Sequence, residues 1–192
     1  QCLGVQMTGS VLSQAEVSAL VTGEHADPFA VLGVHEAGKG FVSRALVRGA
    51  ATVSVATLDG KQVGKLHQSH PDGFFECSVK VKKAQPVRLL ASNDGGKWEV
   101  VDPYSFGPVL GPMDDYYAAQ GTHLKLYDKL GAHVIRHEGE SGVHFAVWAP
   151  NAKRVSVIGD FNSWDGRRHV MRKRMGIGVW EIFIPHLDED VK

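Results

Sequence analysis

A short stretch near the end of the chain combines aromatic, amide and carboxylate side chains. Residues 160–166 read Asp-Phe-Asn-Ser-Trp-Asp-Gly and follow an apolar run that is typical of a strand. Sugar rings stack an apolar face on an aromatic side chain, while neighbouring polar groups hydrogen-bond the hydroxyls. We therefore expect Trp164 to be a stacking platform, with Asn162 and Asp160 as its hydrogen-bonding partners.

The same aromatic residues also have a structural interpretation. Phe161 is expected to pack in a hydrophobic core, and Trp164 could plug one end of a sandwich instead of facing a ligand. Trp148 lies at the end of another apolar run, where a tryptophan is more typical of a core or an interface than of a ligand site. Trp180 is expected to be half-buried in a strand.

Other reactive residue types form weaker patterns. His133 and His137 are four residues apart, and His67 and His70 are three apart, but both pairs fall in segments predicted as strand or loop. Those spacings do not converge on a metal ion outside a helix. The adjacent pair Asp114–Asp115 does not flank a bond as glycosidase carboxylates do. The sequence predicts no metal site, no cofactor and no catalytic centre in these residues.

Charge and composition argue against two classes of partner. The chain has 21 Lys+Arg and 21 Asp+Glu, so its net charge is zero, and neither nucleic acid nor an anionic membrane is an expected partner. The basic run at residues 167–174 is interpreted as a solvated surface. No apolar stretch reaches the roughly 20 residues of a membrane span, and no secretion signal is recognised. Cys2 and Cys77 are isolated, which favours a reducing compartment, so the cytoplasm is expected.

Short strands separated by turns must position these side chains. The Ser13-Gln14-Ala15-Glu16 spacing is a capping box and predicts a short helix that ends near Gly23, with Val17 and Leu20 on one face. Alternating apolar residues and turn signals then predict many short strands, as in a sandwich. The expected strands cover residues 41–47, 53–55, 74–81, 87–91, 97–101, 143–148, 155–159 and 179–184.

Three motifs occur twice along the chain. Leu-Gly-x-His begins at residues 32 and 130, Val-Ser-Val at 53 and 155, and a Gly-x-aromatic-Glu motif at 73 and 178. The distances between copies are 98, 102 and 105 residues, a slow drift that small insertions in the second copy would produce. We interpret the chain as two tandem β-sandwiches, of which the first is simplified.

These motifs together resemble a known family. The stretches 142–152 (GVHFAVWAPNA), 159–167 (GDFNSWDGR) and 178–181 (GVWE) closely resemble carbohydrate-binding module 48 of bacterial glycogen branching enzymes. Asp27-Pro28-Phe29, the stretch 102–106 (DPYSF) and both LGxH motifs resemble the extra N-terminal module of the same enzymes. Val170 stands where members usually carry proline, which affects only the expected local turn. The resemblance covers about residues 25–192.

The resemblance implies an all-β fold of two tandem immunoglobulin-like β-sandwiches with a short N-terminal helix. The expected order is a leader and helix over 1–24, a first sandwich over 25–104, a junction over 105–135, and the carbohydrate-binding sandwich over 136–192. The last module is expected to lack its final strand. In the family a catalytic barrel follows, and none of its catalytic residues can be carried onto this sequence.

What the resemblance implies about function is the binding of polymeric glucose. The parent enzyme transfers α-1,4-glucan segments to α-1,6 branch points. This non-catalytic part is expected to bind α-1,4-glucan or glycogen through Trp164, Asn162, Asp160 and Trp148 and to support the catalytic barrel. Two alternatives stay open: a purely structural module, or a stand-alone protein or RNA interaction module that uses residues 167–174.

Overall fold

The computed structural model describes residues 12–119, 128–174 and 176–188, which form two compact β units. The first unit takes in the N-terminal helix and residues 30–105, and the second takes in residues 23–29 and the chain from residue 106 onward. The predicted all-β fold is confirmed. Of the predicted leader and junction, residues 1–11, with Cys2, and residues 120–127 lie outside the described part. The helices in the described ranges all lack the length and apolar character of a membrane span.

Helix α1 (Gln14–Thr22) begins where the capping box predicts. The hydroxyl of Ser13 accepts a hydrogen bond from the Glu16 amide at 3.2 Å, and the Glu16 carboxylate accepts one from the Ser13 amide at 2.8 Å. These reciprocal bonds satisfy two donors that a helix start leaves unpaired. Gly23, with a φ of 73°, directly follows the helix. The buried face consists of Val17, Leu20 and Val21.

The first unit contains seven antiparallel strands in the order β1-β2-β5-β4-β3-β6-β7. Strand β4 pairs with β3 through residues 62–66 and with β5 through residues 67–70, so it passes from one layer to the other. Apolar side chains of both layers meet in one core, which makes the unit a sandwich. The strands are β1 (Gly33–Ala37), β2 (Gly40–Leu46), β3 (Thr52–Thr57), β4 (Gln62–His70), β5 (Phe74–Val79), β6 (Val87–Asn93) and β7 (Gly96–Val101).

The second unit contains a four-stranded antiparallel sheet in the order β10-β11-β9-β8. The predicted strand over 155–159 is wrong, because only Ser156 forms a bridge, to Val170, before the chain turns into a loop. Helix α2 (Pro112–Ala119), which contains Asp114 and Asp115, was not predicted. It begins with a proline at the position where a missing amide hydrogen costs no bond. The strands are β8 (Gly131–His137), β9 (Glu140–Trp148), β10 (Arg172–Arg174) and β11 (Val179–Pro185).

The LGxH motif has the same geometry in both units. Gly33 and Gly131 open β1 and β8 with φ values of 96° and 97°, a conformation that favours glycine. In each copy the histidine ring bonds the carbonyl oxygen three residues earlier, at 2.7 Å for His35 and 2.8 Å for His133. The internal repeat is therefore confirmed at this motif, and its histidines hold the start of a hairpin strand.

The two units differ in the cross-strand pair that lies next to this motif. Across β5 and β2, Glu76 lies opposite Arg44, and their side chains pair at 3.3 Å. Across β11 and β9, the equivalent Glu181 lies opposite Ala146, which has no charge to offer. Glu181 is only 1% exposed, so its carboxylate requires other partners.

Two of the four partners of Glu181 come from a connecting segment, the strap (residues 106–110). The amides of Val109 and Leu110 donate to Glu181 Oε2 at 3.1 and 3.0 Å, and His144 Nε2 lies 3.0 Å from the same oxygen. Arg174 Nη1 lies 3.5 Å from Oε1. Burial alone would raise the pKa of Glu181, but these hydrogen bonds and the positive charges outweigh it and hold the pKa below its usual value. The carboxylate thus ties the strap to strand β11.

Candidate functional site

The sugar-binding stretch of the sequence forms an ordered loop, the Trp164 loop (residues 159–166). A 3₁₀ turn over Asp160–Asn162 opens it, and the amide of Trp164 donates to the Gly159 carbonyl at 2.9 Å. Ser163 and Trp164 both have φ values of 57°, in the left-handed region. Non-glycine residues there cost on the order of 1 kcal/mol or more each, and such strain concentrates at ligand sites.

Trp164 lies in solvent at the tip of this loop. Its side chain is 59% exposed, so it does not plug the end of the sandwich. The indole Nε1 donates to Asp160 Oδ1 at 2.8 Å, and Asp160 is itself exposed. Phe161, in contrast, packs against the core and against the ring of His169, as the sequence predicts. The loop therefore packs one aromatic ring against the core and exposes the other.

Asn162 is buried beneath the loop, with 1% of its surface exposed. Its Oδ1 accepts from the Gly159 amide at 3.0 Å, and its Nδ2 donates to the Val157 carbonyl at 2.8 Å. The same nitrogen lies 2.9 Å from His169 Nδ1. Because the backbone partners fix the amide orientation, His169 Nδ1 must accept this third bond. Both amide hydrogens are used inside the loop, so the geometry makes Asn162 a residue that holds the loop together.

His169 must be neutral to accept this third hydrogen bond from Asn162. Burial, assisted by the nearby charge of Arg168, lowers the pKa of His169 to about 4. At neutral pH the ring nitrogen Nδ1 therefore keeps the lone pair that accepts from Asn162. Protonation would place a second donor opposite the amide and break the bond.

We expect the stability of this unit to fall in acid because of His169. Its folded pKa of about 4 lies below the ordinary 6.5, so the contribution is complete above pH 6.5 and is lost as the pH falls through 4. The loss amounts to about 3 kcal/mol. Urea unfolding of the wild type and of His169→Asn should show it, since asparagine keeps an acceptor oxygen, tolerates the left-handed backbone and does not titrate. Equal slopes of stability against pH in the two proteins would contradict this assignment.

Trp148 forms a second exposed aromatic surface in the same unit. It ends β9 opposite Val179 and is 59% exposed, although its pattern favoured a packing role. It borders an open groove of about 670 Å³ whose lining is mostly apolar. Other residues of this lining include Phe145, Val147, Val155, Ile158 and Met171.

The internal repeat shows why the exposure of Trp148 is unusual. Because Ala146 is equivalent to Arg44, Trp148 is equivalent to Leu46. Leu46 packs in the cluster that α1 forms with Phe74, and it is half-buried. The second unit thus exposes a large aromatic ring at the position where the first unit packs an aliphatic side chain. From the sequence, only an alignment of the two repeats could have shown that Trp148 stands at the position of Leu46.

The basic run at residues 167–174 is more engaged than a solvated surface. Arg172 lies over the ring of Phe29 at 3.9 Å and is half-buried, and Arg174 pairs with Glu181 at 3.5 Å. The expectation of a solvated surface is therefore wrong for the part of the run that forms β10. These contacts use the positive charge inside the unit, which weakens the case for a phosphate-binding surface.

The remaining tryptophans pack in or against the two cores, and the paired histidines lie in strands. Trp180 is 2% exposed and donates its indole hydrogen to the Ala149 carbonyl at 2.9 Å, so it is more deeply buried than predicted. Trp98 packs at the margin of the first core. The paired histidines lie in β4 and β8, and within the described ranges no group of His, Cys, Asp and Glu is arranged to hold a metal ion.

Both units match families of known proteins. Residues 13–104 match the family model described as alpha-1,4-glucan branching enzyme GlgB, N-terminal domain, and residues 129–192 match carbohydrate-binding module 48 (isoamylase N-terminal domain). The chain is 62% identical over 175 residues to a 1,4-alpha-glucan branching enzyme of Rhizobium meliloti and 63% identical over 173 residues to one of Mesorhizobium japonicum. A third, from Cereibacter sphaeroides, is 47% identical over 180 residues. These alignments cover 91%, 90% and 93% of this chain, but 24%, 24% and 25% of the relatives' length.

Proposed function

We propose that this chain is the glucan-binding, non-catalytic part of a glycogen branching enzyme, because residues 13–104 match the branching-enzyme N-terminal domain and residues 129–192 match carbohydrate-binding module 48. The parent enzyme would transfer α-1,4-glucan segments to α-1,6 branch points in the cytoplasm. The chain spans about a quarter of the length of its curated relatives, so the chemistry is assigned to the rest of the parent.

The observation that carries the proposal is the exposure of the Trp164 side chain together with its left-handed backbone conformation. A tryptophan that is 59% exposed and has a left-handed backbone is unfavourable both for hydration and for conformation. Such a ring offers the flat apolar face on which a pyranose stacks. Asp160 lies beside it, and Asn162 and His169 hold the loop from below.

Trp148 is proposed as a second contact for the same polymer. Its exposed ring belongs to the same unit, and a glucan chain offers many equivalent sugar rings. Single stacking contacts give Kd values of order millimolar to high micromolar, and linked contacts raise the effective affinity without new chemistry. Binding of this kind would keep the polymer near the catalytic barrel.

The first unit is proposed to support the barrel and not to hold sugar. Among the described residues of that unit, the exposed large apolar side chains are limited to Val100, and no aromatic ring is exposed as Trp148 and Trp164 are. A purely structural role for the whole chain is the competing function. That role would leave the strain and exposure of Trp164 without a purpose.

Retardation in native gels that contain glycogen tests the proposal. The wild type should be retarded, Trp164→Ala should lose most of the retardation, and Trp148→Ala should lose part of it. Tyr116→Ala is the matched control, because Tyr116 is 54% exposed on α2 and its removal should change nothing. Retardation should be the same at low and high salt, whereas phosphate or RNA binding weakens steeply with salt. A folded wild type that is not retarded would contradict glucan binding and favour the structural role.

A further inference from the structure

Asp160 is the residue whose side chain holds the ring of Trp164. The indole Nε1 donates to Asp160 Oδ1 at 2.8 Å, and both side chains are exposed. An exposed indole hydrogen can bond water equally well in many ring orientations. A carboxylate partner four residues earlier instead selects one orientation, through a charge-assisted bond that is stronger than a neutral one.

The backbone of Asp160 is held within the loop. Asp160 begins the 3₁₀ turn, and its carbonyl oxygen accepts from the Ser163 amide at 3.2 Å. The turn itself is held by Asn162, which bonds the Gly159 amide and the Val157 carbonyl. A continuous series of bonds therefore runs from the buried amide to the exposed ring.

We propose that Asp160 is a positioning residue that fixes the plane of the Trp164 indole before a sugar arrives. This inference rests on the proposed glucan binding and assigns Asp160 a role through Trp164, where the sequence suggested a direct bond to a sugar hydroxyl. Stacking requires the ring face to be turned towards the ligand, and a ring that is already fixed loses less side-chain freedom on binding.

The expected effect on binding is moderate and specific. Asp160→Ala should raise the Kd for a linear malto-oligosaccharide roughly three- to tenfold, which corresponds to the ordering of one side chain. Asp160→Asn should rescue most of this loss, because its amide oxygen still accepts the indole hydrogen. Trp164→Phe keeps a ring but has no such hydrogen, so adding Asp160→Ala to it should change nothing further.

Two measurements on the 192-residue chain test the proposal. Titration with maltoheptaose gives the double-mutant cycle, and ¹⁵N relaxation of the Trp164 indole gives ring mobility without any ligand. We expect the indole to become mobile in Asp160→Ala and to stay ordered in Asp160→Asn. Equal losses of binding from Asp160→Ala with tryptophan or phenylalanine at 164 would overturn the positioning role in favour of a direct sugar contact.

The ligand-free measurement separates this inference from the function on which it rests. An indole that stays equally ordered in Asp160→Ala would overturn the positioning role even if glucan binds. Absence of maltoheptaose and glycogen binding by the folded wild type would overturn the glucan site itself, whatever the mobility of the indole.

Discussion

Replacing Glu181 with alanine is expected to destabilise the second unit by about 3–5 kcal/mol, because it removes one partner of a buried charged network. His144, Arg174 and the amides of Val109 and Leu110 would all lose their shared acceptor. Urea unfolding followed by tryptophan fluorescence would measure the effect, since Trp148, Trp164 and Trp180 report on this unit.

Glu76→Ala is the matched control for Glu181→Ala. Glu76 is the equivalent residue of the first unit, but it is only half-buried and pairs mainly with Arg44. We expect a smaller loss there, of about 1–2 kcal/mol. Similar losses at the two positions would show that the strap contacts of Glu181 contribute little.

The effect of Glu181 should also depend on pH. Its pKa in the folded protein is below the value of an unfolded chain, so its stabilisation is complete above about pH 4.5 and is lost as the pH falls through the folded pKa. The difference in stability between wild type and Glu181→Ala should therefore shrink in acid. A difference that stays constant down to pH 3 would contradict an ionised carboxylate at this site.

Replacing Trp164 with glycine is expected to abolish most glucan retardation while leaving the protein as stable as before or more stable. Glycine relieves the left-handed strain, and the side chain that is removed is mostly in solvent. The net change in the free energy of unfolding should lie within about 1 kcal/mol, on the stabilising side. Opposite signs for stability and binding would indicate that the residue is kept for its ligand.

Ser163→Gly is the control that separates strain from stacking. Ser163 shares the same left-handed backbone but carries no ring. Its replacement should stabilise the protein by a similar amount and leave retardation in glycogen gels intact. A large destabilisation by Trp164→Gly would instead assign the ring a structural role in the loop.

The parts of the fold that follow from local chemistry could be predicted from the sequence. The capping box located α1, and alternating apolar residues located the strands that bury one face. Strands β1, β4, β8 and β10 were not predicted, because their short or polar-rich segments lack a clear apolar alternation, although β1, β4 and β8 pair with strands adjacent in the sequence. The apolar stretch 155–159 has strand character but finds only one bridging partner, which periodicity cannot reveal.

The candidate site, too, could be predicted only in the part that depends on local sequence. Residue types and spacing identified Trp164, whose exposure and strain follow from a loop that bends back on itself. The burial of Asn162 could not be foreseen, because its partners are backbone groups and a histidine seven residues away. The exposure of Trp148 depends on which distant segments lie over the sheet, and a single strand pattern does not carry that information.

The bonds between the strap and Glu181 also decide where the second unit can be cut without loss of its contacts. The match to carbohydrate-binding module 48 begins at residue 129, but the second unit already includes Leu110 and residues 23–29. A fragment excised at residue 129 would keep Glu181 in its buried place and discard two of its donors. The segment that must be transferred as a whole, in evolution or in engineering, is therefore larger than the stretch that matches the family model. The strap is part of the folded unit and is not a linker.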